Sequence, residues 1–300
     1  MSRYTLAGEG SKGAAMDVKQ HRIEGAGGVG LSVREAGPEG APAILLIHGW
    51  SQAALCWSKQ MRGPLAERFR LVAPDLRGHG SSDKPADPAL YRDSALWAAD
   101  MHVVVETLGL GAPVLVGWSM GGRVLCDWLR HYGDGGLSGI VLTGCGARSG
   151  ALADAEVMAR RKPDVEAVGM YEVDLEAQLD AAIAFVKACV AAPLSKRDLA
   201  FMVGYNMLVP PGIRRAARLR DEDNRADLAA ITCPAMVIQG AAERLCLTPM
   251  YEEVMATLPA QAQGLVYPGC GHAPFWEDAP RFDADLGAFA AGCFGMGAAA

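Results

Sequence analysis

The chain has 300 residues, 51% of them hydrophobic, and a formal net charge of −6. That length suits one large core with room for an inserted smaller unit. A mildly acidic balance argues against a nucleic-acid or anionic-membrane surface, and 36 glycines and 17 prolines without a period exclude collagen-like and low-complexity chains.

In chain order, residues 1–15 lack the apolar run of a signal peptide and read as a flexible tail, with Met16 as an alternative start. Residues 18–35 read as two strands around the turn EGAGGVGL. Nearly continuous apolar runs follow at 41–48, 70–75, 113–117, 137–143, 234–240 and 264–269. Such runs suit strands buried on both faces of a mostly parallel sheet. Helical stretches fall at 94–108, 123–132, 249–258 and 279–290. Strand alternating with helix predicts a doubly wound α/β sheet, its core drawn from 16–146 and 229–300. The interval 147–228 breaks the alternation with polar, helical composition and reads as a helical cap, or lid, over the carboxyl edge of the sheet. Arg160, Arg161 and Lys162 read as the densest basic run, a solvated helix face.

The eight cysteines are scattered without a C-x-x-C pair, so no metal site is expected and a reducing compartment is. No apolar run is long enough for a bilayer span, which makes the expected location cytoplasmic. The oligomeric state is open, a homo-oligomer included.

Gly117-Trp118-Ser119-Met120-Gly121 carries the chemistry. It matches G-x-S-x-G between a predicted strand and a predicted helix, where a tight turn projects the Ser119 hydroxyl from the backbone. A serine needs a base at neutral pH. Of six histidines, His272 alone lies in a Gly- and Pro-rich loop after the last predicted strand, where such sheets react, so it is the expected base. The base needs an acid to hold its tautomer. Glu243 is that acid by position and by elimination, since no carboxylate follows the strand at 137–143 closely. The oxyanion should sit on the backbone N–H groups of Met120 and Trp50. His48 reads as a structural hydrogen-bonding residue. Trp118 and Trp276 flank the serine and the histidine, and Ser51 follows Trp50; these three are the expected substrate contacts, Trp118 foremost. Cap residues such as Met158, Met170, Tyr171, Phe185, Phe201 and Leu208 divide between the site and the cap's own core.

With these blocks in place the chain resembles the α/β-hydrolase superfamily: HGW at 48–50, PDLRGHGSSDKP at 74–85, GWSMGG at 117–122 and GCGHAPFWEDAP at 269–280. Within it the chain is similar to bacterial esterases grouped with cofactor-free haloperoxidases, and to lactonases acting on N-acyl-homoserine lactones. The resemblance implies that PDLRGHG is a structural turn, with no chemistry for His79 or Asp83. It also implies that Ser119 at the nucleophile position separates the chain from the dehalogenases and epoxide hydrolases, which carry Asp there. Many of the haloperoxidase-like esterases have Pro where this chain has Ser51, so peracid chemistry is not expected. The implied function is cleavage of a carboxylic ester with an apolar or acyl small-molecule substrate and no metal or organic cofactor. A lactonase, or a hydrolase of another acyl bond, is the second reading. A non-catalytic ligand-binding protein on this scaffold is the third.

Overall fold

The computed structural model describes residues 17–160 and 168–296. The expected tail at 1–15, and Arg161, Lys162 and Pro163, lie outside the described residues.

β-Branched and leucine-rich runs bounded by turns make the strands. β1 (Lys19–Glu24), β2 (Gly30–Ala36), β3 (Ala43–Ile47), β4 (Arg70–Pro74), β5 (Val114–Trp118) and β6 (Gly139–Thr143) come first. Two-residue strands β7 (Arg148–Ser149) and β8 (Glu222–Asp223) pair antiparallel, and β9 (Ala235–Gly240) and β10 (Gln263–Tyr267) complete the set. The helices are α1 (Leu65–Arg68), α2 (Ser94–Thr107), α3 (Met120–Tyr132), α4 (Ala155–Ala159), α5 (Leu175–Ala188), α6 (Lys196–Asn206), α7 (Pro211–Arg218), α8 (Arg225–Ala229), α9 (Thr248–Thr257), α10 (Pro274–Glu277) and α11 (Ala279–Cys293). The predicted strands and helices all appear, with ends displaced by a few residues.

Eight strands form one sheet in the order β1-β2-β4-β3-β5-β6-β9-β10. β1–β2 and β2–β4 pair antiparallel, and every later pair is parallel. Every residue of β3, β5, β6 and β9 is buried. That accounts for sequence runs with no polar alternation, because helices cover both faces of such a sheet. Helices α2, α3, α8 and α9 pack in succession, and α1 packs against α11. This is the expected α/β-hydrolase architecture.

Parallel strands end together, so the loops after β3, β5, β6, β9 and β10 gather at one edge. A fully buried Arg77–Asp100 pair, with Nε–Oδ2 at 2.7 Å and Nη2–Oδ1 at 2.8 Å, ties the turn after β4 to α2. Removing one partner of such a pair costs about 3–5 kcal/mol. The excursion between β6 and β9 holds α4 to α8, and the β7–β8 ladder joins its two ends, pairing Arg148 with Asp223 and Ser149 with Glu222. Among the described residues no helix is long and apolar enough to cross a membrane.

Candidate active site

A strand that turns at once into a helix strains the residue at the turn and stands its side chain clear of the chain. β5 ends at Trp118 and α3 begins at Met120, so Ser119 makes the turn alone, at φ 55° and ψ −118°. A non-glycine residue in such a conformation costs on the order of 1–3 kcal/mol and persists only when its surroundings fix it. Here the surroundings do so by close packing. A Cβ on Gly121 would lie 2.2 Å from the Ile47 carbonyl oxygen, and one on Gly117 would lie 2.6 Å from the Gly121 carbonyl oxygen. The Ser119 N–H donates to the Thr143 carbonyl at 2.9 Å.

His272 lies in the loop between β10 and α10. Its carbonyl accepts the Trp118 indole N–H at 2.7 Å, and the two rings lie 5.4 Å apart. Glu277 steadies the same loop by accepting the Gly271 N–H at 2.7 Å and the Ala191 N–H at 2.6 Å. Glu243 sits just past β9, in a loop zipped to the histidine loop by Ala241 N–H to Tyr267 O at 2.9 Å and Ala242 N–H to Cys270 O at 2.8 Å. The result is a contact of 2.7 Å between His272 Nδ1 and Glu243 Oε2, with side chains 4% and 2% exposed. Glu243 Oε1 accepts the Arg244 and Leu245 N–H groups, each at 2.8 Å. Burial works to raise the Glu243 carboxyl. The His272 ring and the N–H groups of Leu245 and Cys246 outweigh it and hold the carboxyl below its ordinary range. An ionised carboxylate only accepts, so Nδ1 carries the proton and Nε2 keeps its lone pair.

Ser119 and His272 open on one cavity of about 350 Å³, whose apolar wall includes Trp50, Met158, Tyr171, Phe185, Leu245 and Met250. The loop after β3 passes beside it. Ser51 there has φ 59°, its N–H meets His79 Nε2 at 3.3 Å, and its hydroxyl accepts the Arg214 Nε–H at 3.1 Å. The Trp50 indole N–H donates to the Arg214 carbonyl at 2.8 Å. Among the described residues the backbone N–H groups of Trp50 and Met120 have no hydrogen-bond partner. Both residues line the cavity.

The other histidines near the edge are structural. His48 accepts the Leu76 N–H on Nε2 at 3.0 Å and donates from Nδ1 to the Gly49 carbonyl at 2.8 Å. Burial lowers its pKa to about 4. His79 accepts the Ser51 N–H on Nε2 and faces the Arg77 carbonyl with Nδ1 at 2.9 Å. Burial and the neighbouring His48 ring lower its pKa to about 3. Asp83 accepts the Gly30 N–H at 2.7 Å and pairs with Arg22.

None of the three expected substrate contacts is among the residues that line this cavity. Trp118 is 3% exposed, spends its indole N–H on the histidine loop, and packs edge-on against Phe275 at 4.8 Å. Trp276 is buried under Lys59, whose Nζ stands 4.5 Å from the ring, and stacks on Phe201 at 6.3 Å. Ser51 is wholly buried, its hydroxyl engaged by Arg214. Of the residues expected in a cap, Met158, Tyr171 and Phe185 face the cavity, Met170 is buried elsewhere, and Phe201 and Leu208 are exposed.

Sequence reasoning missed the arginines of α7. Residues 214–220, in and just beyond α7, contain Arg214, Arg215, Arg218 and Arg220, a longer basic stretch than Arg160–Lys162. Arg215 and Arg218 line the cavity. Arg214 is fully buried and also donates to the carbonyls of Met170 at 3.0 Å and Asn206 at 2.7 Å. Arg220 is held by both oxygens of Asp127, at 2.7 and 2.8 Å.

The sequence model of the alpha/beta hydrolase family matches residues 44–284. The chain is 26% identical over 271 residues to the AB hydrolase superfamily protein YisY of Bacillus subtilis (strain 168), covering 90% of this chain and 98% of that one. The structure is similar to that of the esterase RhEst1 from Rhodococcus sp. ECU1013, at 30% identity and a TM-score of 0.83, covering 91% of this chain and 98% of the other. It is also similar to a mutant of the N-acyl homoserine lactonase AidH complexed with N-hexanoyl homoserine lactone. That match has 25% identity, a TM-score of 0.76, and covers 93% of this chain and all of the other.

Proposed function

The chain belongs to the alpha/beta hydrolase family, whose esterase and lactonase members fit acyl-bond hydrolysis, and from that premise we propose that it is a serine hydrolase cleaving carboxylic esters through Ser119, His272 and Glu243. The observation that carries the proposal is the 2.7 Å contact from His272 Nδ1 to Glu243, made by a ring that shares its cavity with Ser119.

Ser119 Oγ attacks the ester carbonyl carbon as His272 Nε2 takes its proton. The carbonyl oxygen becomes an oxyanion on the N–H groups of Trp50 and Met120, at the positive end of α3. Losing one such donor costs on the order of 3 kcal/mol in comparable sites. Glu243 stabilises the imidazolium, which protonates the leaving alcohol as the C–O bond breaks. Water then attacks the acyl-serine with His272 as base, and the acid leaves with Ser119 restored. Net, one ester and one water give one acid and one alcohol.

We assign residues 147–228 the role of a cap. Met158, Tyr171, Phe185, Arg215 and Arg218 support it, because they line the cavity together. A lactone ring is opened by the same steps, and the likeness to the N-acyl homoserine lactonase favours that second substrate class.

A fluorophosphonate probe tests the chemistry without a guess at substrate. Intact mass and peptide mapping should find one adduct on Ser119, absent in Ser119→Ala and much slowed in His272→Ala. A folded protein that takes no adduct and turns over neither activated esters nor acylated lactones would overturn the proposal and leave a ligand-binding role.

A further inference from the structure

Charge is distributed unevenly in the cavity. Its lining includes Arg123, Arg148, Arg215 and Arg218 and no aspartate or glutamate among the described residues, in a chain whose net charge is −6. Two of these arginines are already neutralised. Arg123 pairs with Glu222, and Arg148 Nε stands 2.7 Å from Glu253 Oε1. Arg215 and Arg218 have no acidic partner among the described residues.

Their placement follows from α7. Ile213, Arg214, Ala216 and Ala217 are buried, which leaves Arg215 and Arg218, three residues apart, together on the uncovered side. Both sit late in the helix, where its dipole favours cations. The dipole does not explain why each guanidinium lies over a ring of the cavity wall. Arg215 Cζ is 5.2 Å from the centre of the Tyr171 ring, and Arg218 Cζ is 5.0 Å from that of Trp50. The two rings meet edge to face at 6.0 Å, so one continuous wall presents a cation at each end. A cation–π contact of this kind holds a guanidinium near the ring and leaves its N–H groups able to donate. Like charges one turn apart oppose each other, and a helix that carries them beside a cavity is relieved when an anion enters.

Resting on the hydrolase reading above, we propose that the substrate is an ester or lactone bearing a carboxylate, and that Arg215 and Arg218 hold that carboxylate while Ser119 attacks the acyl carbon. A planar carboxylate matches the guanidinium fork with two parallel hydrogen bonds. These arginines select substrate and take no part in bond making.

The test compares charged and neutral members of two ester pairs. On the acyl side the pair is the p-nitrophenyl hemiester of glutarate and p-nitrophenyl butyrate. On the alcohol side it is 4-acetoxybenzoate and its methyl ester. The wild-type chain should favour the charged member of one pair in kcat/KM. Arg215→Gln/Arg218→Gln should lower that charged-to-neutral ratio by about tenfold or more, what one charge-assisted contact contributes. Arg215→Lys/Arg218→Lys should keep part of it, and added salt should erode it. Using the ratio cancels any general damage from the substitutions. Neutral esters turned over with no charged preference in either pair, or a ratio that the Gln variants leave unmoved, would overturn the carboxylate assignment alone. Absence of turnover on all four esters together with an unlabelled Ser119 would remove the hydrolase reading, and this proposal with it.

Discussion

Glu243→Gln keeps the shape of the acid and removes its charge, and hydrogen bonding decides how the amide sits. With its oxygen toward the Arg244 and Leu245 N–H groups, now 2.8 Å from Glu243 Oε1, its NH2 faces His272 Nδ1–H and two donors collide. Reversed, the NH2 faces two backbone donors. An unmet buried donor costs about 1–3 kcal/mol, so the first seating is favoured by roughly one such term. The ring relieves the remaining collision by moving its proton to Nε2, and Nδ1 then accepts from the amide. A base protonated on Nε2 cannot take the Ser119 proton. A wrong-tautomer substitution of this kind lowers kcat about 10⁴-fold in a serine protease, about 5.5 kcal/mol of barrier. The assay is kcat on p-nitrophenyl butyrate at pH 7, with the melting temperature followed in parallel. A variant that folds and keeps kcat within about tenfold of wild type would refute the role assigned to Glu243.

Two further outcomes follow from buried polar groups. Arg214 fixes the Trp50–Ser51 turn from both sides, through its Nε–H to Ser51 and its carbonyl to the Trp50 indole. An ammonium cannot reproduce the planar fork that also reaches Met170 and Asn206. Arg214→Lys should therefore lower kcat by about tenfold with a smaller change in KM, since the turn carries the proposed oxyanion donor; an unchanged kcat with altered KM would contradict this. Asp283 is 8% exposed, and burial, against one hydrogen bond from Gln60, raises its carboxyl to about 6. Its folded pKa lies above the ordinary 3.8. Its ionisation therefore costs stability as pH rises through that window, and the whole cost, about 3 kcal/mol for two pKa units, persists above it. Asp283→Asn escapes that cost, so calorimetry should show a melting-temperature gain over wild type several degrees larger at pH 8 than at pH 4. Equal differences at the two pH values would sink the argument.

The placement of Ser119, Glu243 and His272 at one edge of the sheet was legible because each lies within a few residues of a strand end, and strand ends are what apolar runs locate. The joining of the loops was legible too, since parallel strands must end together. The direction of side chains was not. Trp118 is adjacent to Ser119 in sequence, yet the turn at Ser119 sends the indole to the histidine loop and the hydroxyl to the cavity. Trp276 and Ser51 likewise lie outside the cavity lining, held by partners far away in the chain: Lys59 lies 217 residues from Trp276, and Arg214 lies 163 from Ser51. The arginines in and just beyond α7 did leave a local trace, four cations in the seven residues 214–220. Their division into one buried tie, two cavity residues and one ion-pair partner depends on which helix face the core covers. No periodicity in a helix of eight residues could reveal that. The β7–β8 ladder escaped notice because two residues per strand carry no pattern.

Arg214 also has a consequence for protein engineering. The β7–β8 ladder joins the two ends of the excursion, and one of its ties to the core is the buried guanidinium that reaches the turn after β3. Cutting the excursion at the ladder, or exchanging it for a shorter one, would yield no open version of the same catalyst. It would remove a beam that holds Trp50 in place, so a graft that respects the backbone join must still carry an arginine, or its equivalent, to that turn.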